Sequence, residues 1–78
     1  MAVEKTLNGI FNKVLDLSPE EIVQDKPLDQ AHEVDSTEMV EISVGLKKEL
    51  KIDIGDNELK KTHSYRDILD ILKTKGVQ

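Results

Sequence analysis

Apolar residues recurring at three- and four-residue steps constrain this chain more than any other feature. Val3, Leu7, Ile10, Phe11, Val14 and Leu15 keep that spacing at the start. Met39, Ile42, Leu46 and Leu50 keep it in the middle, and Tyr65, Ile68, Leu69 and Leu72 near the end, with Ile71 at the flank. A repeat of about 3.6 residues gathers each set on one side of a helix, and no stretch shows the two-residue alternation of a strand. Each stripe needs another to cover it. A chain of 78 residues supplies one small core, which helices packed on one another close well. The expected fold is all-α: a small four-helix bundle of three main helices plus one short helix, forming a single domain over residues 1–78.

Local signals place the edges. Leu17 carries the first stripe toward a loop, and Ser18-Pro19-Glu20-Glu21 joins a hydroxyl cap, a proline at the first helical position and a glutamate at the third. Asp25-Lys26-Pro27-Leu28 stops that turn early. A long loop then runs to Val34, anchored by Ile22, Val23, Leu28 and Ala31. Asp35 caps the second long helix, which runs from Ser36 to Leu50 or Lys51, and Glu38 is placed to close a capping box. Gly45 sits inside this helix at a cost of about 1 kcal/mol relative to alanine, which points to something packed close by. Gly55 breaks the chain, Asp56 caps a short helix over Asn57 to Lys61, and Leu59 turns inward. Ser64 caps the last helix and Gly76 stops it.

The charge is uneven. Nine acids (Asp16, Glu20, Glu21, Asp25, Asp29, Glu33, Asp35, Glu38 and Glu41) stand against Lys26 alone between residues 16 and 41, a local −8 within a total of −5. That balance argues against nucleic acid, whose phosphates call for lysine and arginine. It suits the steering of basic partners. The chain has no cysteine, and with 35% charged residues it holds no apolar run suited to membrane insertion. Asp53, Asp56 and Glu58 lack the spacing of a calcium loop, so no metal site is expected. The first ten residues show neither a signal-peptide nor a transit pattern, which fits a cytoplasmic protein. His32 and His63 have no acid or metal cluster near them in sequence and read as solvent-facing polar residues.

Ser36 falls in the first turn of the acidic second helix, where unpaired N–H groups and the positive dipole end favour an attached or bound phosphate. Taken alone, Asp35-Ser36 reads more simply as an ordinary capped surface helix. Val40 and Val44 fall beside Ser36 and off the core seam, where they either widen the buried face or form a small exposed apolar strip, the strip being the favoured reading. Nothing in the chain supplies a nucleophile with a base and an orienting group, so it is not expected to be an enzyme.

The series Val34-Asp35-Ser36-Thr37-Glu38-Met39-Val40-Glu41-Ile42, the stretch Leu46 to Leu50, the link Ile52-Asp53-Ile54 with Asp56, and Thr62-His63-Ser64-Tyr65-Arg66-Asp67-Ile68 together resemble the acyl carrier protein family. The likeness runs from Leu7 to Leu72. It implies that a phosphopantetheinyl transferase attaches 4′-phosphopantetheine to Ser36, with Asp35 and Thr37 beside the attachment. The arm's thiol then carries an acyl chain as a thioester. The resemblance also implies docking of acyl-loading and acyl-using enzymes, with basic patches, on Glu38, Val40, Glu41, Val44 and Ile54. Met39, Leu46, Leu50, Leu59 and Ile68 are the expected lining for the acyl chain, and the carrier is expected to act as a monomer. Fatty-acid, lipid or related biosynthesis is the implied setting, with polyketide or aminoacyl cargo as the alternative. An unmodified helical interaction module is the alternative from another class. Departures from the family pattern are Glu33 for a glycine, Thr37 for a leucine, His32 for a leucine, Lys47 and Lys48 for acids, and Gly55 for a proline. They favour a specialised carrier with its own enzymes.

Overall fold

A computed structural model describes residues 2–55 and 58–77. Four helices follow one another as α1 (Ala2–Leu15), α2 (Leu28–Ala31), α3 (Ser36–Leu50) and α4 (Tyr65–Thr74), with a 3₁₀ turn at Pro19–Glu21. The described residues hold no strand, only an isolated bridge between Pro27 and Ser64. The expected helical bundle is therefore what forms.

The three long stripes meet as their spacing requires. Val3, Leu7, Ile10 and Phe11 of α1 are buried with Met39, Ile42 and Leu46 of α3 and with Tyr65, Ile68, Leu69 and Leu72 of α4. Each buried leucine or isoleucine contributes about 1.5–3 kcal/mol. Phe11 and Tyr65 meet edge to face, 5.5 Å between centroids at 84°. The Tyr65 hydroxyl donates to Asn8 Oδ1 at 2.6 Å, which satisfies the polar end of an otherwise buried ring. Burial, with Glu4 nearby, holds the Tyr65 phenol above its ordinary value. Gly45 makes room for α1: a Cβ there would stand 2.7 Å from Ile10 Cδ1.

Connections complete the core. Ile22, Leu28, Val34, Ile54 and Leu59 are all buried, so the loops are built into the bundle. Val23, expected as an anchor, is instead exposed. The short helix also lies elsewhere than expected. It is α2, within the long loop, whereas residues 58–63 form turns and bends; Asp56 and Asn57 lie outside the described residues. The reason is tertiary. A four-residue helix leaves its first N–H groups without intrahelical partners. Here Leu28 N–H donates to His63 O and Asp29 N–H to Lys61 O, both at 2.9 Å. The 60–63 turn thus spends its carbonyls capping α2.

Both histidines serve this stitching. His32 Nε2 accepts from Val23 N–H at 3.0 Å, and His63 Nδ1 accepts from Lys60 N–H at 3.1 Å. Each is half-buried, which corrects the solvent-facing reading. The α3 entry follows from the same loop. Glu33 adopts a left-handed conformation (φ 54°), so the chain turns back, Val34 N–H donates to Leu28 O, and Val34 enters the core. Asp35 then emerges at the surface as the cap of α3.

Candidate functional site

The α3 start is held by a reciprocal capping box. Asp35 Oδ1 accepts from Glu38 N–H at 2.8 Å, and Glu38 Oε1 accepts from Asp35 N–H at 3.1 Å. That uses one orphan donor of the helix and leaves others open: neither Ser36 N–H nor Thr37 N–H finds a backbone acceptor among the described residues. Two free amides at the positive end of a 15-residue helix suit an anionic oxygen.

Ser36 differs in surroundings from the other three serines. Ser18 donates its hydroxyl to Glu21 Oε1 at 2.8 Å. Ser64 is buried and accepts from Asp67 N–H at 3.1 Å. Ser43 is half-buried in the body of α3. Ser36 is exposed, sits at the first helical position, and its hydroxyl makes no hydrogen bond to a described residue. An oxygen so placed is free to be modified without dismantling a cap.

From Ser36 a groove of about 460 Å³ runs between α3 and the segment containing Gly55 and residues 59–62. Its α3 wall is a stripe at helical spacing: Ser36, Met39, Val40, Ser43, Val44 and Lys47. Facing it are Gly55, Leu59, Lys60, Lys61 and Thr62. Of the five residues expected to line an acyl site, Met39 and Leu59 border this groove. Leu46 and Ile68 are wholly buried core side chains, and Leu50 is half-buried outside the groove. The difference is one of helix face: Leu46 and Leu50 continue the seam toward α1, while the groove opens one face round.

Val40 (59% exposed) and Val44 (48%) stand out from α3 as the expected apolar strip. They form a ridge between this groove and a second one, of about 620 Å³, bordered by Ile10, Val14, Gly45 and Lys48. Glu41 is exposed beside them. Ile54 is not part of that strip; only 4% of it is exposed and it packs in the core. Glu38, expected both to close the capping box and to contact partners, is half-buried and does close the box. Lys60, Lys61, Ser43 and Thr62 were not legible as groove residues. The Ser36 stripe, followed in steps of three and four, does reach Ser43 and Lys47, but the opposite wall depends on how the 58–63 turn folds back.

Among the described residues no group of His, Cys, Asp or Glu is arranged to hold a metal ion. No helix among the described residues is long and apolar enough to cross a membrane.

The sequence comparisons identify the family. The family model described as the phosphopantetheine attachment site matches residues 5–72. An acyl carrier protein from Thermosynechococcus vestitus is 30% identical over 69 residues, covering 88% of this chain and 85% of that protein. No solved structure gives a significant match. With most of the helical bundle inside the matched span, and a cofactor family defined by covalent 4′-phosphopantetheine, the chain belongs to the acyl carrier protein family.

Proposed function

We propose that Ser36 bears the 4′-phosphopantetheine arm and that the chain holds acyl groups on it as thioesters for partner enzymes of fatty-acid, lipid or related biosynthesis. The observation that carries this reading is the contrast among the four serines: Ser36 alone joins exposure, a hydroxyl without a described hydrogen-bond partner, and a helix start. Asp35, committed to the capping box, fixes the direction of the first turn. The free N–H groups of Ser36 and Thr37, at the positive end of α3, would suit the negative charge of a phosphodiester on Ser36 Oγ. The arm supplies the thiol that this cysteine-free chain lacks. The chain contributes no catalytic group; its part is to present the arm and be recognised.

Recognition falls to the exposed side of α3. Val40 and Val44 supply a small apolar centre and Glu41 an acidic contact, with Glu38 behind it. A polar rim about so small a centre suits fast exchange among a phosphopantetheinyl transferase and acyl-handling enzymes. The protein acts as a cytoplasmic monomer in this scheme. Tethering then turns each delivery into an encounter at an effective concentration on the order of millimolar.

Intact mass after co-expression with a broad-specificity phosphopantetheinyl transferase tests the assignment. The expected result is a gain of one prosthetic group, absent in Ser36→Ala. An unchanged mass in the wild-type chain would instead favour an unmodified helical interaction module.

A further inference from the structure

The described lining of the groove beside Ser36 carries a charge opposite to that of the chain as a whole. Three of its lining residues are lysines (Lys47, Lys60 and Lys61) and none of the described ones is acidic, in a chain of net charge −5. None of the three pairs with a carboxylate among the described residues, where the ion pairs are Arg66–Asp25 and Lys75–Glu58. Their floor is apolar, made by Met39, Val40, Val44 and Leu59.

Resting on the carrier reading above, we propose that the groove selects an acyl cargo ending in an anionic group, a carboxylate-terminated chain rather than a plain alkyl one. The methylenes would lie on the valines, Met39 and Leu59, and the carboxylate would reach the lysine ammonium groups at the rim, where water still solvates both partners. Exposure keeps the desolvation penalty low, which a buried pair would not. Lys47 lies eleven positions along α3 from Ser36, about 16 Å in axial rise, so it borders the end of the groove away from the attachment oxygen.

The test loads the full-length protein, through the transferase, with two thioester-linked chains of equal length, one methyl-ended and one ω-carboxylate-ended. The unloaded holo protein is the reference. Intact mass first establishes that the arm and cargo are attached; a chain that takes neither fails the carrier reading, whereas a loaded chain without preference fails only this inference. Amide shifts of Val40, Ser43, Val44 and residues 59–62, with the rate of thioester hydrolysis, then report sequestration. The carboxylate-ended chain is expected to be protected about fivefold more, as a few exposed ion pairs of this kind allow. Lys47→Gln, and separately Lys60→Gln with Lys61→Gln, should each lower that ratio, and 0.5 M salt should abolish it. Lys48→Gln, on the second groove, should leave it unchanged. Equal or better protection of the methyl-ended chain would overturn the proposal. So would lysine-dependent shifts already complete in the unloaded holo protein, which would assign the cations to the arm's phosphate.

Discussion

Glu33 occupies a backbone conformation that suits glycine better. At φ 54° its Cβ crowds the following carbonyl, a strain of about 1–2 kcal/mol for an L-residue. Yet this turn sends Val34 into the core and Asp35 out to cap α3. Glu33→Gly should remove the strain and return part of the gain as unfolded-chain entropy. The expected net is a stabilisation of about 0.5 kcal/mol, or about 2–4 °C in Tm for a domain of this size. Glu33→Ala removes the charge but keeps a Cβ and should show no such rise; an equal rise in both variants would assign the effect to charge. The same positions explain why helix ends were harder to read than helix starts. Asp35 and Ser64, each with an acid three residues on, announce their capping boxes in a four-residue window. The turns at Asp16, Glu33 and Lys51 are left-handed without glycine, so among the described residues only Gly76, at φ 88°, kept the expected signal.

At the scale of the element, α3 divides its work among its faces. Met39, Ile42 and Leu46 hold the core, Glu38 maintains the cap, and Val40, Glu41 and Val44 are left exposed. Glu41→Lys is therefore the cleaner probe of docking. It should slow modification by a transferase several-fold and flatten the dependence of that rate on salt, without changing the helical signal. Glu38→Gln should have a smaller effect on the rate, because glutamine can still close the box. Equal rates and salt slopes in wild type and Glu41→Lys would move the docking surface off this face. The apolar strip was legible because Val40 and Val44 depart from the seam by their spacing alone. Ile54 was not, because a residue in an irregular link has no periodicity to say which way it faces.

Across the whole molecule, the bundle is tied by contacts between segments far apart in sequence. Leu28 and Asp29 are capped by the 60–63 turn. Glu58 bridges the Gly55 amide (2.8 Å) and Lys75 Nζ (2.7 Å), linking that turn to the end of α4. The Lys75 ammonium, and next the Gly55 amide, hold the Glu58 carboxyl below its ordinary value of 4.5. The Ser18 amide does the same for Glu21, and the Ser64 amide for Asp67. A folded value below the unfolded one means that the ionised form favours the fold. That contribution is whole above about pH 4.5 and is lost as pH falls through the folded value. Chemical-denaturation midpoints should accordingly drop below pH 4.5, and Glu58→Gln should lower the neutral-pH midpoint while making its acid-side fall shallower. An unchanged acid slope in Glu58→Gln would leave that carboxyl without a role in acid sensitivity. These ties also mark where reading the chain in order stops working. Stripes and caps gave the three main helices, but the place of the short helix and the second wall of the groove depend on which carbonyls the 60–63 turn offers to α2.

All of this turns on a single oxygen. Tandem mass spectrometry of peptides from the protein purified out of its native cells would locate any prosthetic group among Ser18, Ser36, Ser43 and Ser64. The account predicts the phosphopantetheine mass on the peptide fragment bearing Ser36 and on no other serine. A working native protein bare at Ser36, or one carrying the arm elsewhere, would contradict it.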